Sequence, residues 1–144
     1  MLKNKKGFTL IEMLAVIAII AVLVAIIVPA VSNSTQKAEA AVDAANLRNV
    51  LGMLNTELAV TSTDVALTVE SLEQIESKCF ESAEIQILYT SPGFIKIFYV
   101  SGSAYYSLDY FSALAEGRSV DGISTAKPTD AGTWYKAGSA TPLN

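Results

Sequence analysis

Apolar and polar positions are distributed unevenly along this chain, and the distribution predicts one long helix followed by a small sheet. Met13 to Val28 reads MLAVIAIIAVLVAIIV, without a charged or strongly polar side chain. Extended back to Phe8 and on to Val31, the run matches the length of about 20 residues that spans a bilayer as a helix. From Ser32 onward the composition becomes that of a water-exposed domain, yet no linker interrupts the helical pattern. Leu47, Val50, Leu51, Leu54 and Leu58 follow i, i+3, i+4, i+7, i+11 spacing, an apolar stripe on an otherwise polar helix. Lys37, Glu39, Asp43, Arg48, Asn49 and Glu57 fall largely elsewhere.

Thr61 to Val65 breaks that pattern. A short helix is expected from about Val69 to Lys78, with Thr68 as N-cap, Glu70 and Glu73 in its first turns, and Leu72 and Ile75 on one face. Cys79 reads as a small buried apolar residue ending this element. Glu84 to Thr90, Phe94 to Val100 and Ala104 to Phe111 are rich in β-branched and aromatic residues. Their short connections, Ser91-Pro92-Gly93 and Ser101-Gly102-Ser103, predict an antiparallel meander. Ile85, Ile87 and Tyr89 would face the Leu47–Leu58 stripe. Tyr105, Tyr106 and Tyr110 read as strand packing, with a binding surface as the alternative. After Ala115 the chain becomes Gly, Ser and Thr rich and mostly irregular, with Thr133 to Lys136 adding an edge strand. The fold class expected is α+β.

With 144 residues there is room for one domain and a modest core, provided a membrane or a neighbour takes part of the apolar surface. The formal charge is −4. Lys3, Lys5 and Lys6 precede the apolar run, which by the positive-inside rule starts the N-terminus in the cytoplasm and exports the rest. Clustered cations are otherwise lacking, which argues against a nucleic-acid partner. One cysteine excludes an internal disulfide, and the absence of histidine removes the commonest general base and metal ligand. No carboxylate pair, nucleophile elbow or phosphate loop suggests an enzyme, and no cofactor is implied.

An apolar run of this kind is ordinarily a cleaved secretory signal, with Val28-Pro29-Ala30 as a small-residue cleavage site, or a plain anchor. Glu12 argues otherwise. An ionised side chain at the centre of a membrane helix costs roughly 2.5–3.5 kcal/mol on insertion scales. The cost is smaller near a helix end, but a signal or an anchor has no use for a carboxylate there. A buried acid implies a partner, and Lys5 and Lys6 lie on the far side of Gly7. Ala15, Ala18, Ala21 and Ala25 form a small-residue stripe of the kind that lets helices approach closely in lipid, or simply reflect the abundance of alanine in helices. Pro29 is expected to kink or locally unwind the helix between Ala25 and Pro29.

Lys5-Lys6-Gly7-Phe8-Thr9-Leu10-Ile11-Glu12 resembles the class III signal of type IV prepilins and type II secretion pseudopilins. The resemblance covers the first quarter of the chain and implies a pilin-like fold. It further implies a leader at 1–7, a transmembrane and assembly helix at 8–31, and a globular head at 32–144. A prepilin peptidase would cut between Gly7 and Phe8, and Phe8 would carry the N-methylated amine. Glu12 would occupy the position of the family's assembly glutamate, and Pro29 that of its helix-kinking proline. The implied partners are the peptidase, the assembly machinery of the cytoplasmic membrane, further copies in a helical filament, and minor pilins. The precursor would sit in the membrane, and the assembled filament at the cell surface.

The chemistry fits. A cationic amine beside the Glu12 carboxylate, its own or a neighbour's, would make an acid in apolar surroundings tolerable and set the register of docking. Gly7 lets the backbone extend into a peptidase cleft. Family members with a disulfide-pinned C-terminal loop are poor guides here, and Asp121 and Asp130 show no recognisable calcium loop. Two alternatives stay open: a pseudopilin of a secretion or DNA-uptake machine, and a secreted binding or enzymatic domain behind an ordinary signal. Mass spectrometry of the mature protein is expected to find N-methylated Phe8 as its first residue. A chain beginning at Val31 would identify the ordinary signal instead.

Overall fold

The computed structural model describes residues 8–61, 69–70, 72, 75–90 and 93–143. Leader residues 1–7, including Gly7, and Thr68 and Glu73 of the expected short helix lie outside them. The chain forms two compact units that meet between Thr35 and Gln36. Helix α1, Leu10–Thr61, contributes to both. The sheet contains β1 (Glu84–Thr90), β2 (Phe94–Ser101), β3 (Ala104–Ser107), β4 (Thr133–Lys136) and β5 (Pro142–Leu143), with helix α2 at Leu108–Ala115. This is an α+β, pilin-like arrangement.

In the second unit α1 buries Ala40, Ala44, Leu47, Val50 and Leu54 in one core with Ile85, Ile87, Ile95, Ile97 and Tyr99 of the sheet. Leu51 and Leu58 pack at its margin, so the expected stripe and its partner strands are the ones that meet. The stripe extends about two turns further toward the N-terminus through the buried Ala44, Asp43 and Ala40.

Sheet order is β3-β2-β1-β4-β5, antiparallel throughout. The β1–β2 pairing runs from Glu84↔Val100 to Thr90↔Phe94. The expected edge strand at 133–136 is instead interior: β4 pairs with β1 through Ile87↔Tyr135 and with β5 through Tyr135↔Pro142. Pro142, which lacks a ladder donor, sits in the outermost strand, where proline is tolerated.

The third expected strand, Ala104 to Phe111, is half strand and half helix. Ser107 ends β3 with extended backbone, and its Oγ accepts from the Tyr110 N–H, an N-cap that starts α2. Asp109 lies in the first turn, where the helix dipole favours an anion. From there Phe111 turns into the core, fully buried, against Tyr99 at a centroid distance of 5.6 Å. Tyr106 and Tyr110 pack edge-on at 5.0 Å, so these tyrosines serve packing.

The expected helix from Val69 to Lys78 is not formed as such. Val69 and Glu70 are helical, but residues 75–80 are irregular because a different interaction claims them. Asp43, read as part of the polar helix face, is fully buried. Its carboxylate accepts from Ser77 Oγ at 2.6 Å, Lys78 N at 2.8 Å and Cys79 N at 3.0 Å. The carboxylate does for this loop what a helical turn would have done for its amides. Phe80, one residue further, is thereby laid on Tyr106 with ring centroids 4.1 Å apart.

Cys79 is half-buried, and burial first, then the Asp43 carboxylate, push its thiol up to about 12. Tyr99 is buried, and burial pushes its phenol up to about 12. Asp43→Ala is expected to destabilise the second unit by about 1–3 kcal/mol for each donor left dry. Asp43→Asn, which keeps one acceptor oxygen, should cost less. Chemical denaturation followed by circular dichroism measures both.

Candidate functional site

The candidate site is the N-terminal end of α1 and the apolar surface behind it. Phe8 and Thr9 precede the helix, and Leu10 begins it. A helix start leaves four backbone N–H groups without intrahelical acceptors, and in apolar surroundings water does not answer them. Thr9 and Glu12 answer two of them reciprocally. Thr9 N and Thr9 Oγ1 both donate to Glu12 Oε2 at 2.8 Å, and Glu12 N donates to Thr9 Oγ1 at 3.3 Å. This is a capping box, with threonine at the cap and glutamate three residues on.

The sequence reading found no partner for Glu12 within the chain; the structure supplies one in Thr9. The signal was present in Thr9-Leu10-Ile11-Glu12, a capping-box pattern directly before an apolar run. Both threonine donors converge on Oε2. Oε1 therefore remains able to accept another donor, such as a cationic amine.

Behind the cap, the helix is apolar on all sides. Among the large side chains from Phe8 to Val31, exposure ranges from 44% at Val16 to 84% at Leu10. A helix apolar all round belongs in a membrane or inside an assembly, because none of the described residues of its unit covers it. Its length and composition suffice to cross a membrane. Ala15, Ala18, Ala21 and Ala25 are exposed as well.

Pro29 lies within α1, and helical backbone continues on both sides of it, so the expected unwinding between Ala25 and Pro29 is not seen. Proline removes one backbone donor at that turn. One turn later the hydroxyls of Ser34 and Thr35 donate back to the carbonyls of Ala30 and Val31, each at 3.1 Å. Hydroxyls bonded in this way hide their polarity along the helix surface as the apolar stretch gives way to the polar one.

In the second unit the two C-terminal aspartates each have a protein partner. Asp130 pairs with Lys96 at 2.8 Å, and that ammonium holds its carboxyl below the ordinary aspartate range. Asp121 accepts from Ser119 Oγ at 2.8 Å.

An all-round apolar helix with a carboxylate at its capped start, followed by an α+β unit, is a pilin-like arrangement and fits a membrane-anchored precursor. Residues 2–28 match the family model of the prokaryotic N-terminal methylation motif, the type IV pilin and prepilin signature. No curated protein and no solved structure matches the chain.

Thr9→Ala is expected to leave α1 intact but loosen its first turn. A cap worth about 1 kcal/mol corresponds to about fivefold faster hydrogen exchange at the Glu12 amide, measurable on the protein in detergent micelles.

Proposed function

We propose that this protein is a structural, non-enzymatic subunit of a type IV pilus. Prepilin peptidase cuts it after Gly7, Phe8 becomes the methylated N-terminus, and the apolar half of α1 packs against other copies in a helical filament. The observation that carries this reading is the Thr9–Glu12 box at the head of an uncovered apolar helix. Before assembly the box satisfies two of the first backbone donors and holds the carboxylate on one oxygen. During assembly the other oxygen receives the Phe8 amine, from its own chain or from a neighbour.

Electrostatics makes the step selective. In a low-dielectric surrounding an unpaired charge is costly, and losing one partner of a buried pair costs about 3–5 kcal/mol. A subunit displaced along the filament axis would leave amine and carboxylate apart, so the pair fixes register. Head-to-tail contacts that do not close on themselves then extend the filament.

The motif is shared with pseudopilins, and electron microscopy of cells separates the two roles. Long surface filaments containing this chain support the pilus. A processed chain with no such filaments points to a pseudopilus. Glu12→Ala is expected to leave cleavage intact and to reduce incorporation into filaments severely, whereas a bulky replacement of Gly7 should leave the uncut precursor in the membrane. Wild-type filament yield from Glu12→Ala would overturn the register role.

A further inference from the structure

Residues 118–131 form no helix or strand. Irregular segments of about 12–15 residues are uncommon in compact domains and are usually disordered or functional. This one is tied down at named points. Its first neighbour, Gly117, follows α2 with a φ of +71°, a conformation that favours glycine. At the other end, Gly132 passes so close to β1 that a Cβ there would lie 2.6 Å from the Tyr89 carbonyl oxygen. The segment thus runs between two glycines, one permitting a turn and one permitting close approach.

On the sheet face opposite α1, Phe98, Tyr105 and Trp134 form a cluster with Leu88 and Val100. The three rings lie 5.4–6.2 Å apart, and Trp134 is only 8% exposed. Lys127 places its ammonium over the Trp134 ring, 5.5 Å from the centroid. The Tyr105 N–H donates to the Thr125 carbonyl at 2.9 Å, and Thr90 Oγ1 donates to the Ala131 carbonyl at 3.0 Å. Lys96, reaching out from β2, pairs with Asp130, and both side chains are more than a third exposed.

We propose that residues 118–131 are a hinged lid over this aromatic face, kept shut by the Lys96–Asp130 pair and the Lys127–Trp134 contact. No covalent tie holds it, and an exposed ion pair is weak and screened by salt. The lid therefore opens without unfolding the sheet and uncovers Phe98, Tyr105 and Trp134. Gly117 at its start and Gly122 within it, both at positive φ, are the points where the backbone can turn.

Hydrogen exchange on the full chain in non-ionic detergent micelles tests this, because the Tyr105 amide is bonded to the lid. Lys96→Ala and Asp130→Ala should each speed its exchange by about two- to fivefold, the range set by an ordinary exposed pair. The double swap Lys96→Asp with Asp130→Lys should restore the wild-type rate. The Ile87 and Tyr99 amides, deep in the sheet, should keep wild-type rates in all variants. A Tyr105 rate unchanged by both single substitutions would overturn the latch. A rate that rises only in step with Ile87 and Tyr99 would show that the segment opens with the whole sheet and is no lid.

Discussion

The structure depends on one helix serving two surroundings without a break. A helix is the single-chain solution for crossing an apolar medium because it satisfies its backbone internally, except at its ends. α1 places its exceptional end in the apolar part, and the Thr9–Glu12 box is the local answer to that difficulty. The same carboxylate that caps the helix is the charge that an assembly partner would meet. In the proposed function, capping and recognition would then be carried by one side chain.

A second carboxylate organises the other unit by comparable means. Asp43 gathers three donors from residues 77–79 and holds Phe80 over the rings of β3 and α2. Removing such an acid leaves part-buried amides without their acceptor, so its contribution is specific as well as energetic. Arg48, one turn further along α1, donates to Ser112 Oγ of α2 at 2.9 Å. In this unit α1 is therefore joined to the sheet by apolar packing and to the 77–79 loop and α2 by directional bonds.

Much of this was legible in the sequence. The strands at 84–90 and 94–101 announced themselves by β-branched content and short connections, and α1 by its two hydrophobic patterns. Asp43 did not, because a carboxylate on a helix is ordinarily solvated and only the folded loop shows which donors come to it. The Tyr105 to Phe111 stretch misled because aromatic density favours strand, whereas the Ser107 cap, a one-residue signal, decided for helix. Charge alone sets Glu12 apart in the sequence, whereas its bond to Thr9 is encoded in the three-residue spacing between them. Interior placement of β4 rests on long-range pairing with β1, which no local pattern encodes.

Cys79 has a wider consequence. With its thiol pushed up to about 12 it stays protonated at physiological pH, and a protonated thiol is a poor nucleophile toward disulfides or oxidants. The unit that contains it holds together through Asp43, aromatic contacts and antiparallel pairing, none of which involves electron transfer. Folding of that unit is thus independent of thiol-oxidising catalysts, and its sulfur is a poor site for adventitious cross-linking.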